Sequence, residues 1–127
     1  MKILITGERG FIGKNLSARL NESKEFSVLS FTRDDSSNTL QEKIKESDAI
    51  VHLAGVNRPK NISEFKTINC GLTESICQLI RSEGTRDIPL IVASSTQAKL
   101  DNPYGKSKYA AEVLVEELFL GTGNPVA

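Results

Sequence analysis

Thr6-Gly7-Glu8-Arg9-Gly10-Phe11-Ile12-Gly13 is the stretch that decides how this sequence folds. Its glycines recur at every third position. An apolar run, Lys2 to Thr6, stands directly before it, and Phe11, Ile12, Leu16 and Leu20 follow at helical spacing to about Asn21. A strand, a glycine turn and a helix in that order make a seat for a pyrophosphate. The first glycine permits the tight turn, the second lets the anion approach the backbone, and the third lets helix pack closely on strand. The opening of the helix offers N–H groups that have no partner within the helix. Gly7, Gly10 and Gly13, with Arg9, Phe11 and Ile12 between them, are therefore the expected contacts of a bound dinucleotide.

Outward from this turn the alternation continues. Residues 27–31 read as a second strand, 40–46 as a short helix, and 49–53 as a third strand, led by Asp48 and followed by Ala54-Gly55. A long helix carries Phe65, Ile68, Leu72, Ile76, Leu79 and Ile80 on one stripe; residues 88–93 form a fourth strand. A last helix, from about Gly105 to Leu120, turns Ala110, Val113, Leu114 and Leu118 inward. Strands apolar throughout, alternating with amphipathic helices, imply an α/β fold: a Rossmann-like, doubly wound parallel sheet with helices on both faces. The stretch from Thr32 to Asp48 is tight for a strand plus a helix, so one strand usual in such folds is expected to be vestigial. Pro125-Val126-Ala127, after the turn Gly121 to Asn124, reads as the opening of another strand. The expectation is a single dinucleotide-binding domain, residues 1–127, forming the N-terminal fragment of a longer enzyme and truncated before its last strands and substrate-binding segment.

Lys plus Arg and Asp plus Glu number 16 each, with the signs mixed along the chain, which argues against a nucleic-acid partner. No apolar run approaches the roughly 20 residues that span a bilayer, and the start of the chain lacks a signal-peptide core. A cytoplasmic protein is expected. Cys70 and Cys77 lie seven apart on one helix face without further ligands nearby, so buried free thiols are expected and no metal site.

The adenosine end of a dinucleotide is read about 20 residues after the glycine turn, where an acid binds the ribose 2′-hydroxyl and an Arg a 2′-phosphate. This sequence has Ser30-Phe31-Thr32-Arg33-Asp34-Asp35. No acid stands in the strand's last positions and Arg33 follows at once, so NADP(H) is favoured. Asp34 and Asp35 keep NAD as the alternative, and a solvated surface charge is the other reading of Arg33.

Tyr104 and Lys108 stand four apart, on one face of a helix, so phenol and ammonium lie side by side. A neighbouring cation favours the tyrosinate and suits the tyrosine to general acid/base work. Ser94-Ser95 ends the fourth strand, where strand C-termini face the ligand crevice. His52, the sole histidine, falls within an apolar strand and reads as a buried, hydrogen-bonded side chain. Asn57 and Arg58 follow a strand C-terminus and stand where they can contact cofactor or sugar phosphate; Arg58 equally suits a solvated loop charge.

Taken together, Thr6-Gly7-x-x-Gly10-Phe11-Ile12-Gly13, Asp48-x-x-x-His52-Leu53-Ala54-Gly55, Asn69, Ser94-Ser95 and Tyr104-x-x-x-Lys108 resemble the extended short-chain dehydrogenase/reductase family over essentially the whole chain. The resemblance implies Tyr104 as acid/base, Lys108 holding the nicotinamide ribose and tuning Tyr104, and Ser95 orienting the substrate carbonyl. It also implies Asn69 supporting the active site, with Leu53, Ala54 and Gly55 lining the cofactor cleft. Gly71 fits close packing beneath that site. A narrower resemblance, carried by residues 52–59, Ser95-x-Gln97-Ala98 and Asp101-Asn102-Pro103-Tyr104-Gly105, is to the bifunctional capsular-polysaccharide reductases of UDP-N-acetyl-L-fucosamine synthesis. It implies NADPH-dependent reduction of a UDP-4-keto-6-deoxy sugar at C4, with Ser95, Asn57 and Arg58 toward the nucleotide sugar, in a homodimer. The truncated chain itself is then expected to be inactive. Two alternatives are an NAD-dependent nucleotide-sugar epimerase or dehydratase, and a non-catalytic NADP-sensing module.

Overall fold

β1 (Lys2–Thr6) occupies the middle of the sheet because everything from Ile3 to Thr6 is apolar or small enough to be buried on both faces. In the computed structural model, which describes residues 1–56, 59–83 and 87–127, it pairs in parallel with β2 (Ser27–Phe31) on one side. On its other side it pairs in parallel with β3 (Ala49–His52), which in turn carries β4 (Leu90–Val92). The order β2-β1-β3-β4 reverses direction between β1 and β3, and that switch point opens the crevice in which α/β folds bind ligands. Val126 bridges Leu90 in parallel, with Leu90 N–H donating to Pro125 O (2.9 Å) and Ala127 N–H to Leu90 O (3.0 Å). The strand opening read from Pro125-Val126-Ala127 is therefore present at the outer edge of β4.

Among the described residues four α-helices cover the sheet: α1 (Phe11–Asn21), α2 (Ser37–Glu46), α3 (Leu72–Glu83) and α4 (Pro103–Thr122). Leu4, Ile50 and Leu90 from three neighbouring strands meet Ile44 of α2, Ile76 and Ile80 of α3 and Leu118 of α4 in one continuous core. α1 packs on β1 and β2 from the opposite face, as a right-handed crossover requires. Between Thr32 and Asp48 the chain holds α2 and no strand, in line with the shortness of that stretch.

Boundaries move where side chains cap. α2 starts at Ser37, before Leu40, because Ser36 Oγ accepts from Thr39 N–H (3.2 Å). α4 starts at Pro103 because Asn102 Oδ1 accepts from Gly105 N–H (2.7 Å) and Pro suits the first helical position. The buried face of α4 carries Ser107, Lys108, Ala111, Val115 and Leu118, whereas Ala110, Val113 and Leu114 are half-buried. Leu118 is inward as expected and Leu114 packs against the core, so the buried face is only shifted, toward Ala111 and Val115. Gly105 shows why: it lies flat on the 3₁₀ turn Thr96–Lys99, where a Cβ would come within 2.7 Å of Leu100 O. The long helix expected from Phe65 onward is also not uniform, since Phe65–Gly71 winds as a π-helix before α3 begins.

Candidate active site

The glycine turn is built by backbone pressing on backbone. Gly7 adopts φ +79°, a left-handed conformation, and a Cβ there would lie 2.6 Å from Ala54 N, where the chain leaves β3. Gly10 N–H closes the turn on Gly7 O (3.0 Å). Gly13 is buried beneath it, with a Cβ brought to 2.6 Å of Glu8 Cα, so the third glycine packs α1 on the turn itself rather than on a strand. Gly10 caps α1 without a side-chain hydrogen bond, and no acid stands in the first turn. That end of the helix is free to receive an anion.

A cleft of about 680 Å³ opens at the switch point. Gly7, Gly10 and Leu53-Ala54-Gly55 form its floor, Arg9, Arg33 and Asp34 its rim, and Ile68 and Leu72 its far wall. Phe11 and Ile12 are not part of the lining and stand exposed beside it, at 84% and 61%. Arg33 is exposed at the rim, while Arg9 pairs with Asp34 at 3.2 Å in full solvent contact. Asp35 is engaged elsewhere: it accepts from Thr32 N–H (2.8 Å) and pairs with Lys43 (3.4 Å). The Thr32 amide, and with it the Lys43 ammonium, holds the Asp35 carboxyl below its ordinary range despite partial burial. Of the two acids that kept the NAD alternative open, only Asp34 faces the cleft.

Tyr104, in the first turn of α4, sets its ring edge-on to Phe65, with centroids 5.7 Å apart. Among the described residues nothing hydrogen-bonds its hydroxyl. Lys108 lies one turn on, buried, and its ammonium donates to Ala93 O (2.7 Å), the residue before Ser94-Ser95. Burial lowers the Lys108 pKa, with the carboxylate of Glu112 opposing. Lys108 thereby ties α4 to the end of β4. Ser94 Oγ donates to Glu112, and Ser95 Oγ accepts from Gln97 N–H (3.2 Å). A serine that accepts from an amide still has its own proton to give. Ser95 and Tyr104 lie outside the lining of the main cleft; Ser95 borders a smaller hollow of about 410 Å³ with Lys99, Tyr109 and Glu112.

Asn69 joins the two parts. Buried on the π-helix, it accepts from Val56 N–H with Oδ1 (2.7 Å) and donates with Nδ2 to Val56 O (3.0 Å) and Ser107 Oγ (3.1 Å). Ser107 in turn donates to Tyr104 O (2.7 Å). A Cβ on Gly55 would meet Asn69 Oδ1 at 3.1 Å and come within 3.8 Å of Lys108 Nζ. Gly71 has no such neighbour; the nearest atom to its Cβ position is Lys66 O at 3.8 Å, so the close packing expected there occurs at Gly55 instead. Thr73 and Ser107 join this network without having been singled out in the sequence, and so does Thr6, read there only as the head of the glycine turn. Thr6 pairs with His52 across β1 and β3, and that register is the signal that identifies it.

His52 is buried as expected, between Thr6 Oγ1 at its Nδ1 (2.6 Å) and Thr73 Oγ1 at its Nε2 (2.9 Å). Burial, reinforced by the Lys108 cation, pushes its pKa down to about 4, so the ring is neutral at pH 7. Cys77 is buried and its thiol is pushed up to about 11 by burial; Cys70 is only half-buried. Among the described residues no group of three metal-ligating side chains forms, and no helix is long and apolar enough to cross a membrane. Asn57 and Arg58, expected to contact the sugar, lie outside the described residues.

The chain matches the NAD dependent epimerase/dehydratase family over residues 3–121. It is 49% identical, over 99% of its length, to a UDP-2-acetamido-2,6-beta-L-arabino-hexul-4-ose reductase of Pseudomonas aeruginosa, and covers 34% of that protein. Among solved structures it resembles the capsular polysaccharide assembling protein CapF of Staphylococcus aureus. The TM-score is 0.83 and the identity 37%, covering 99% of this chain and 34% of that one. A UDP-glucuronic acid 4-epimerase of Bacillus cereus in complex with NAD, 19% identical, shares the fold with a TM-score of 0.85 over 99% of this chain and 55% of its own. The chain thus spans about a third of the length of the reductase it matches.

Proposed function

The chain belongs to the NAD dependent epimerase/dehydratase family, and from that premise we propose that it is the dinucleotide-binding domain of a longer NADPH-dependent reductase. Its substrate is a UDP-4-keto-6-deoxy sugar, reduced at C4 in the synthesis of a capsule or O-antigen sugar. The observation that carries this reading is the 49% identity, along nearly the whole chain, to a reductase of a nucleotide-linked hexul-4-ose. The site supports it. An uncapped helix end over the glycine turn and a cleft of about 680 Å³ suit a dinucleotide. Arg33 and Arg9 at the rim, with Asp35 engaged by Thr32 and Lys43, favour a 2′-phosphate over a bare ribose. By the same family resemblance the enzyme works in the cytoplasm as a homodimer.

When bound, the nicotinamide supplies the hydride to C4. Tyr104 gives its phenolic proton to the C4 oxygen, and its hydroxyl is not engaged by any described residue. Ser95, whose Oγ accepts from Gln97 N–H, donates a hydrogen bond to the same oxygen through its hydroxyl and orients the carbonyl. Lys108, one helical turn from Tyr104, is assigned by the family resemblance to the nicotinamide ribose. Asn69 holds the Gly55-Val56 backbone in place beneath them. Asn57 and Arg58 are assigned to the sugar nucleotide by their place after β3. A sensor without chemistry has no use for Ser95, Tyr104 and Lys108 together.

In the full-length protein, Tyr104→Phe should lower turnover of the 4-keto sugar by about a hundred- to ten-thousand-fold and leave NADPH affinity unchanged. Turnover retained in that variant overturns the assignment. Preference for NADH over NADPH in a binding titration points instead to an epimerase or dehydratase that recycles NAD.

A further inference from the structure

Three side chains that the proposed chemistry does not use form one line through the molecule: Thr6 on β1, His52 on β3 and Thr73 on α3. At one end stands the N–H of Ala54, which can only donate, 3.3 Å from Thr6 Oγ1. At the other end stands the carbonyl of Asn69, which can only accept, 3.0 Å from Thr73 Oγ1. A hydroxyl has one proton. Thr73 spends its proton on Asn69 O, so it must accept from His52 Nε2 (2.9 Å), and Nε2 carries hydrogen. His52 Nδ1 then presents a lone pair, which receives the proton of Thr6 Oγ1 at 2.6 Å. The opposite tautomer would set two lone pairs face to face at Nε2, or break the bond to Asn69 O.

We propose that His52 is a positioning residue, locked as the neutral Nε2–H tautomer in a one-way chain of hydrogen bonds from Ala54 N–H to Asn69 O. The chain joins the cleft floor, where Ala54 packs on Gly7, to the residue that grips Val56 and, through Ser107, the backbone of Tyr104. What it positions rests on the proposed function; the tautomer and the chain of bonds do not.

His52 is the only histidine, so a single imidazole signal reports it. A long-range proton–nitrogen correlation spectrum of the uniformly ¹⁵N-labelled chain, at pH 7, should show the Nε2–H tautomer alone, and the ordinary amide spectrum of the same sample reports Val56 and Asn69. In Thr73→Val the two tautomers should mix, and the Val56 backbone amide and Asn69 side-chain amide should shift. Thr73→Ser, which restores the hydroxyl, should return all three signals to their original positions. A wild-type ring found as Nδ1–H or as imidazolium overturns the proposal, as does an identical spectrum from the Val and Ser variants. Neither measurement needs a cofactor, so failure to bind NADPH would count against the proposed function and leave this test standing.

Discussion

The two ends of the site are held by different forces. At the phosphate end backbone meets backbone: Gly7 lies against Ala54 and Gly13 against Glu8, at distances that leave no room for a methyl group. Around Tyr104 side chains do most of the holding, through Asn69, Ser107 and Lys108, beside one backbone contact at Gly105. Steric exclusion is steep and acts at one residue, whereas a hydrogen-bond network spreads its cost over several. The difference teaches where each end tolerates change: the turn admits only glycine at positions 7 and 13, and the surroundings of Tyr104 depend on partners far apart in the chain.

The sharpest way to break this contrast is a pair of identical substitutions. Gly13→Ala drives a Cβ into Gly7 O and to 2.6 Å from Glu8 Cα, which are backbone atoms that cannot swing aside. Overpacking of this kind should cost about 3 kcal/mol in urea unfolding and abolish measurable dinucleotide binding. Gly71→Ala meets nothing closer than 3.8 Å. It should be neutral or stabilise by about 0.5 kcal/mol through the unfolded chain. Equal losses from the two would show that the phosphate end has no special rigidity.

The same contrast explains what the sequence disclosed. The glycine turn and the parallel sheet were legible because each follows from local spacing: strand, glycines, helix, then apolar runs in alternation. Tyr104 and Lys108 were legible as a pair four apart. Their packing was not, because it depends on residues brought together by topology. Gly105 contacts Gln97 and Leu100 across a 3₁₀ turn and so rotates the buried face of α4, a contact that α4's own apolar pattern does not record. The π-helix at Phe65–Gly71 carries apolar residues at spacings that also suit an α-helix, so periodicity alone could not separate them. The bonds of Thr6 to His52 and of His52 to Thr73 appear only once β1, β3 and α3 are adjacent.

An acid titration sharpens the comparison at the middle of the molecule. His52 has a pKa of about 4 in the fold against 6.5 when exposed, because burial and the Lys108 cation both disfavour its charged form. Between those values the unfolded chain binds a proton that the native chain does not, so stability falls as pH falls. The contribution is complete above about pH 6.5 and drains at up to about 1.4 kcal/mol per pH unit, or about 2 kcal/mol from pH 7 to pH 5. His52→Gln should remove this part of the slope, whatever its effect on stability at pH 7. A variant with an unchanged pH profile would mean that the ring is solvated and the network open.

The smallest expected effect lies at the rim, where neither steric exclusion nor a buried network operates. Arg33 is exposed and, among the described residues, Arg9 is held only by a solvated ion pair with Asp34, an interaction worth little in water. Arg33→Ser should therefore leave stability unchanged and weaken NADPH by about tenfold, close to 1.4 kcal/mol, with NADH unaffected. The gap between the two cofactors should narrow as salt is raised, because exposed charges are screened beyond about 10 Å at 0.1 M. Equal weakening of NADPH and NADH would make Arg33 a general attractor of anions. Specificity for the 2′-phosphate would then fall to Arg9, whose release from Asp34 the phosphate itself must drive.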